Sequence, residues 1–158
     1  MPKTKLQEFI FTILMVITMV YTMICYNIAL NIGGLWNHVF LEAFHELILM
    51  GPIAFILDFF IVAHIATKKA FAIVDMKKNH PFMLVLAISS ISVAFMCPLI
   101  SLAATILFKN AGNQIFAVWL QTTVFNFPMA FFAQIFFVGP LVRFIFGKIV
   151  KVGVVSAN

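Results

Sequence analysis

The sequence predicts an all-α, polytopic membrane protein whose four transmembrane helices form two tandem helical hairpins. Two observations lead to this prediction. The chain of 158 residues is 64% hydrophobic and only 9% charged, whereas a soluble domain is about half apolar and about a quarter charged. In addition, stretches without any charged residue or histidine cover residues 9–37, 81–108 and 110–142, and a spanning helix needs about 20 apolar residues.

The first helix is predicted over residues 7–30. The residues before it, Met1 to Lys5, resemble the start of a signal peptide. However, the apolar run that follows is longer than the core of a signal peptide, and it is not followed by an A-x-A-like cleavage site. We therefore expect an uncleaved first helix.

The other three helices are predicted over residues 43–67, 81–108 and 114–146. In the second helix, Asp58 and His64 interrupt an otherwise uncharged stretch over residues 47–67. None of these segments shows the strict alternation of a membrane strand. Inside hydrocarbon each backbone amide must be hydrogen-bonded within its own segment, which a helix achieves.

The basic residues predict the orientation of the chain. Nine of the ten Lys and Arg residues lie before the first helix, in the middle loop or near the C-terminus, and only Lys109 lies on the other side. Because cytoplasmic loops carry an excess of Lys and Arg, we expect both termini in the cytoplasm of a multi-pass protein of the inner (plasma) membrane.

The two hairpins are related by an internal duplication. A shift of 76 positions aligns residues 52–62 with residues 128–138, and five of the eleven positions are identical, including the spacing P-x-A-F. The prediction is a single membrane domain over residues 1–158, with one two-helix repeat over residues 1–72 and a second over residues 78–148. Since both hairpins have the same orientation, they would form a parallel repeat.

The residues of this repeat resemble a family of bacterial membrane proteins, the domain of unknown function 2798. The resemblance rests on a Met-rich first helix with Met19, Met23 and Asn27, and on the P-x-A motif of the second helix. It implies tandem two-helix units over nearly the whole chain and no assigned activity. The second unit departs from the pattern, because Ser101 or Ala103 stands where Asn27 would repeat.

Asp58 is the strongest candidate for a substrate or ion site. A charged Asp at the centre of a membrane helix costs about 2.5–3.5 kcal/mol, so such residues often serve protons or ions. The shift of 76 places Gln134 at the matching position, and His64 follows six residues after Asp58. The alternatives are a protonated Asp58 that stabilises the bundle by hydrogen bonding, and an interfacial His64.

A second candidate is a metal site at the outer end of the second helix. His38, Glu42 and His45 share one helical face if this stretch is helical. The spacing of Glu42 and His45 is that of di-iron bundles, which need two copies. The second repeat has Val118 and Gln121 instead, so a homo-oligomer or another partner would have to complete the site. The alternative is a polar helix end that faces water.

Sulfur ligands suggest a third, weaker candidate. Cys25 and Cys97 lie at similar depths, with Met23 and Met96 beside them, and soft ligands of this kind suit Cu(I). The alternative is that they are small, polarizable core residues.

Three classes of function remain open. The first is a small transporter or channel with Asp58 as its intramembrane polar site. The second is a non-catalytic accessory or envelope-homeostasis protein, and the third is a metal-dependent membrane enzyme. Short loops leave no room for a soluble catalytic domain, so we expect no enzyme and no cofactor. The expected surroundings are the lipid bilayer rather than nucleic acid, because the basic residues flank apolar spans.

Overall fold

The computed structural model describes residues 5–73, 81–109 and 112–151, and within these ranges the chain forms four helices and no strand. Helix α1 is continuous over Lys5–Ile32, and helix α3 is continuous over Pro81–Phe108. Each of the four helices is long and apolar enough to cross a membrane. The prediction of four helices with this length and composition is therefore confirmed.

Helices α2 and α4 are each interrupted by a π-helical segment. Helix α2 consists of α-helix over Asn37–Leu57, π-helix over Asp58–Val62 and α-helix over Ala63–Ile73. Helix α4 begins with a 3₁₀ turn over Gly112–Gln114 and continues as α-helix over Ile115–Phe132, π-helix over Ala133–Val138 and α-helix over Gly139–Lys151. Both helices extend further than predicted at both ends, because polar residues continue the helix beyond the apolar span that the prediction counted.

The two π-helical segments lie at equivalent places in the two halves of the chain. In α2 the amide of Ala63 donates to the carbonyl of Asp58, and in α4 the amide of Gly139 donates to the carbonyl of Gln134. Each bond therefore spans five residues instead of four, and the two bonds are separated by the same 76 positions that align the sequences. π-helical turns are rare and frequently occur at functional sites.

The helices are arranged so that each packs against two others. Helix α1 packs against α2 and α4, and helix α3 packs against the same two helices. Helices α1 and α3 therefore lie diagonally across the bundle, as do α2 and α4. This arrangement leaves a central space that all four helices can line.

Small buried residues bring α1 and α2 close together. Val39, Ala43 and Ala54 of α2 are completely buried against Val16 and Val20 of α1. Small side chains at such contacts let helix backbones approach closely, which is how helices associate in an apolar solvent. The tight contact holds the first hairpin together and fixes the face that α1 turns toward the central space.

Ring and hydrogen-bond contacts hold the other interfaces. The rings of Phe11 and Phe146 join α1 to α4 edge to face, with 5.3 Å between their centroids. Between α3 and α4, the indole Nε1 of Trp119 donates to the carbonyl oxygen of Pro98 at 2.9 Å. Pro98 lies inside α3, so the bond from Trp119 joins the middle of α3 to α4.

Large apolar side chains cover the outside of the bundle. Ile48, Phe60, Phe136 and Phe144 are each more than 60% exposed. In water so many exposed aromatic and aliphatic side chains would drive association, whereas in lipid they need no cover. The apolar outer face is thus explained by lipid, and the polar residues of the central space need a separate explanation.

Candidate functional site

A cavity of about 1340 Å³ lies between the four helices, and residues of every helix line it. Ligand pockets commonly measure about 300–1,000 Å³, so this space is large enough for a hydrated ion or a small molecule. Its wall is mainly apolar, with polar and charged side chains distributed along its length. It is the candidate functional site.

The facing walls of α2 and α4 place matched residues in the cavity. Positions separated by 76 residues line it in three polar pairs, namely Glu46 with Thr122, Asp58 with Gln134, and Thr67 with Arg143. Asp58 is half-buried and Gln134 is buried. The structure therefore brings Asp58 and Gln134 to one cavity, on opposite diagonal helices and at the first turn of each π-helical segment.

Five charged side chains line the cavity, of which three are acidic and two are basic. Glu8 and Arg143 lie toward one end of the bundle. At this end the first helix begins, at Lys5, and the last helix ends, at Lys151. Glu46 and Lys109 lie toward the opposite end, where each hairpin turns. Asp58 lies between these two groups, so an ion that moved along the cavity would encounter charged groups at both ends and a carboxyl in between.

The two basic side chains are held by hydroxyl groups. Lys109 Nζ donates to Thr122 Oγ1 at 2.9 Å, and Arg143 Nη2 donates to Ser89 Oγ at 3.5 Å. Both acceptors line the same cavity. Since a hydroxyl is neutral, these bonds orient the two cations without neutralising them.

Two polar side chains of the wall donate to carbonyls of their own helix. Thr122 donates to the carbonyl of Val118 at 2.7 Å, and Asn27 donates to the carbonyl of Met23 at 2.8 Å. Asn126 is different, because its Oδ1 is buried and has no hydrogen-bond partner in the described part of the chain. The side chain is only 7% exposed and lines the cavity. A buried acceptor without a hydrogen bond costs free energy unless a ligand or a water molecule donates to it.

Sulfur atoms are also concentrated on the wall of the cavity. Six of its lining residues carry sulfur: Met15, Met19, Met23, Met50, Met96 and Cys97. They come from α1, α2 and α3. The other predicted sulfur residue, Cys25, is buried but does not line the cavity.

The remaining predicted residues lie outside the cavity. His64 is exposed, and so are His38, Glu42 and His45. Among residues 5–73, 81–109 and 112–151, no three His, Cys, Asp or Glu side chains are close enough to hold a metal ion. His45 Nδ1 lies 3.1 Å from the carbonyl oxygen of Leu41 in its own helix. Within one chain, the outer His/Glu residues therefore form a polar helix end.

Sequence reasoning did not assign Glu8, Lys109 or Arg143 to the cavity. The two basic residues were interpreted only as signals of orientation, and Glu8 lies at the edge of the first apolar span. One signal was available for Arg143. The shift of 76 that pairs Asp58 with Gln134 also pairs Arg143 with Thr67, each five residues beyond the end of its π-helical segment.

The fold and the site together define a bundle of four membrane-length helices around a polar, sulfur-lined cavity, built from two similar halves. The chain belongs to the family described as "Domain of unknown function (DUF2798)", whose model matches it twice, at residues 4–74 and 81–150. The resemblance inferred from the sequence is thereby confirmed.

A relative in Bacillus subtilis (strain 168) is similar to this chain over nearly its whole length. The "Uncharacterized protein YybC" is 31% identical over 155 residues, which are 96% of each chain. No solved structure matches the chain.

Proposed function

We propose that this protein is an integral membrane protein that acts as a small transporter or channel, with Asp58 as the binding group for a proton or a small cation. The observation that supports the proposal is the position of Asp58 in a cavity lined by all four helices. An ionisable residue inside a membrane bundle is costly unless it serves a pathway or finds partners. The cavity provides room for such a pathway.

Gln134 is the second group of the proposed site. Its amide lines the cavity at the position that matches Asp58, and it offers an oxygen ligand to a cation and a donor to a carboxylate. In both residues the backbone carbonyl already accepts a five-residue bond at a π-helical turn. A wider helical turn displaces the side chains on either side of it, and this directs both groups into the cavity.

The membrane setting of the proposal follows from the surface. We infer that the apolar outer face contacts the lipid bilayer of the plasma membrane, with both termini and the middle loop in the cytoplasm. The two halves then form a parallel repeat about an axis along the membrane normal. The doubled family match and the two equivalent π-helical segments support this repeat.

A flux assay in proteoliposomes tests the proposed function. Purified protein is reconstituted with a trapped pH indicator, and proton flux is driven by a potassium gradient with valinomycin; alkali-cation flux is measured with a trapped sodium or potassium indicator. Wild-type protein is expected to carry at least one of these ions, and Asp58→Asn is expected to lose that flux. The substitution keeps the shape of the side chain and removes its charge.

The matched control is His64→Ala, because His64 lies six residues away on the same helix but is exposed and outside the cavity. Its flux should equal that of wild type. Full flux in Asp58→Asn would show that Asp58 is structural, and the absence of flux in wild type would favour an accessory role.

A further inference from the structure

Among the described residues, five of the seven methionines line the cavity, although they also pack against the core clusters. Five methionines and one cysteine line it, whereas Met83 is half exposed and outside it. A methionine that only fills a gap in the core is surrounded by other side chains. Side chains that border an open cavity have room to bind a ligand instead.

Met23 and Met96 both line the cavity, one from each of the two diagonal helices α1 and α3. They occupy equivalent positions in the first helix of each hairpin, 73 residues apart, and both line the cavity. Their helices, α1 and α3, are diagonal neighbours about the same central axis. The cavity wall therefore carries a thioether on each of two diagonal helices, and a metal ion that needs few ligands could bind between them.

Cys97 adds a thiol beside this pair. It follows Met96 in α3, lines the cavity, and belongs to a buried cluster with Val93 and Ala130. Met19 and Met23 of α1 pack against this same cluster. Cys97, Met19 and Met23 therefore line one part of the cavity, where the Cys97 thiol also donates to the carbonyl of Thr123 in α4 at 3.8 Å.

The chemistry of these groups selects one class of ion. Thioether and thiolate sulfur are soft ligands that favour Cu(I) over hard cations such as magnesium or calcium, which prefer oxygen. Imidazole groups, which would suit zinc or Cu(II), do not line this cavity in the described part of the chain. The sulfur set thus favours a soft, monovalent cation.

We propose that Met19, Met23, Met96 and Cys97 bind a soft monovalent metal ion, Cu(I) or its analogue Ag(I), inside the cavity. The inference that such an ion is the transported substrate rests on the proposed function. Binding of the ion can be measured without any transport. No change in oxidation state is involved, because the ion enters and leaves as the monovalent cation.

Competition for Cu(I) tests the site. Full-length protein in detergent, kept anaerobic with a mild reductant, is titrated against a chromophoric Cu(I) chelator, and the metal retained per chain is read from the chelator absorbance. Wild-type protein is expected to retain about one Cu(I) per chain, and the double variant Met23→Leu/Met96→Leu is expected to bind it more than about tenfold more weakly. Cys97→Ser should weaken binding in the same direction.

Two variants outside the cavity serve as matched controls. Met83→Leu removes an exposed thioether, and Cys25→Ser removes a buried thiol that does not line the cavity. Both should bind Cu(I) as wild type does. Equal weakening in these controls, or no Cu(I) retained by wild type, would overturn the metal site. If the protein carries protons or alkali cations but does not bind Cu(I), this inference is overturned and the proposed function is not. If it binds Cu(I) but carries no ion, Cu(I) included, only the transport function is overturned.

Discussion

Asp58 and Gln134 are the residues whose carbonyls accept the five-residue hydrogen bonds, from Ala63 in α2 and from Gly139 in α4. The side chains of the same pair line the cavity from α2 and α4. The backbone irregularity and the proposed binding groups therefore coincide in both halves of the protein. A substitution that perturbs the π-helical turn should therefore also affect the proposed binding group.

The π-helical turn of α4 should be sensitive to a methyl group at Gly139. A Cβ built there would lie 2.5 Å from the carbonyl oxygen of Gln134, so backbone must shift to accept it. We expect Gly139→Ala to lower the free energy of unfolding by about 1–3 kcal/mol. Thermal unfolding in detergent measures the change.

Gly147→Ala is the control for this substitution. A Cβ at Gly147 meets nothing within 4 Å, and replacing a helical glycine by alanine stabilises a helix by about 0.5–1 kcal/mol. The two variants should thus shift the unfolding temperature in opposite directions. A stability gain in Gly139→Ala would contradict the close approach at the π-helical turn.

Asn126 should be dispensable for stability but not for flux. Its Oδ1 is buried without a partner, so Asn126→Leu removes an unsatisfied acceptor and should leave stability unchanged or raise it by about 1 kcal/mol. The same change removes a polar group from the cavity wall and should reduce cation flux. Unfolding and flux are measured on the same purified variant.

Thr105→Val provides the comparison for Asn126→Leu. Thr105 is fully buried and donates to the carbonyl of Ser101, so losing its hydroxyl should cost about 1 kcal/mol. A comparable loss of stability in Asn126→Leu would mean that its amide has a partner that matters for folding.

The orientation of the chain can be read with reporter fusions. Fusions after Gly34 and Asn110 should report the outside, and fusions after Met76 and Asn158 the cytoplasm, because nine of ten basic residues lie in the segments assigned to the cytoplasm. An alkaline phosphatase and a fluorescent protein give opposite signals at each site. Phosphatase activity at Met76 would rule out the four-span arrangement.

The outer His/Glu residues should not hold zinc in a single chain. His38, Glu42 and His45 are exposed, and no three such ligands come together in the described residues. His45→Ala is therefore expected to leave the zinc content of purified protein unchanged, as measured by mass spectrometry of the metal. A loss of zinc together with a loss of dimer would instead indicate a site shared between two copies.

The sequence predicted the helices well because membrane-length apolar stretches are long and unambiguous. It also paired Asp58 with Gln134, since a shared P-x-A-F spacing fixes the register between α2 and α4. It missed the π-helical segments, because moving one hydrogen bond from four to five residues leaves composition unchanged. It missed Arg143 as a cavity residue because a basic residue near a helix end is equally consistent with facing lipid headgroups.

The outer His/Glu residues show why a metal site cannot be predicted from sequence spacing alone. Its residues share the spacing of metal ligands, but spacing on one helix does not state whether a neighbouring helix approaches that face. In this protein the side chains of His38, Glu42 and His45 are all exposed, so within the described residues no neighbouring helix covers them. Unlike Asp58 and Gln134, the cavity residues Glu8 and Lys109 could be recognised only once the diagonal arrangement of the four helices was known.

The equivalent π-helical segments also bear on the history of the chain. A π-helical turn closes its hydrogen bond over one residue more than an α-helical turn does, so one inserted residue would account for each segment. Two insertions at the same place in two helices require two independent events, whereas one insertion in an ancestral hairpin requires a single event before that hairpin was copied. The more economical order makes the widened turn older than the second half of the protein. Family members that consist of one hairpin should then carry the same extra residue.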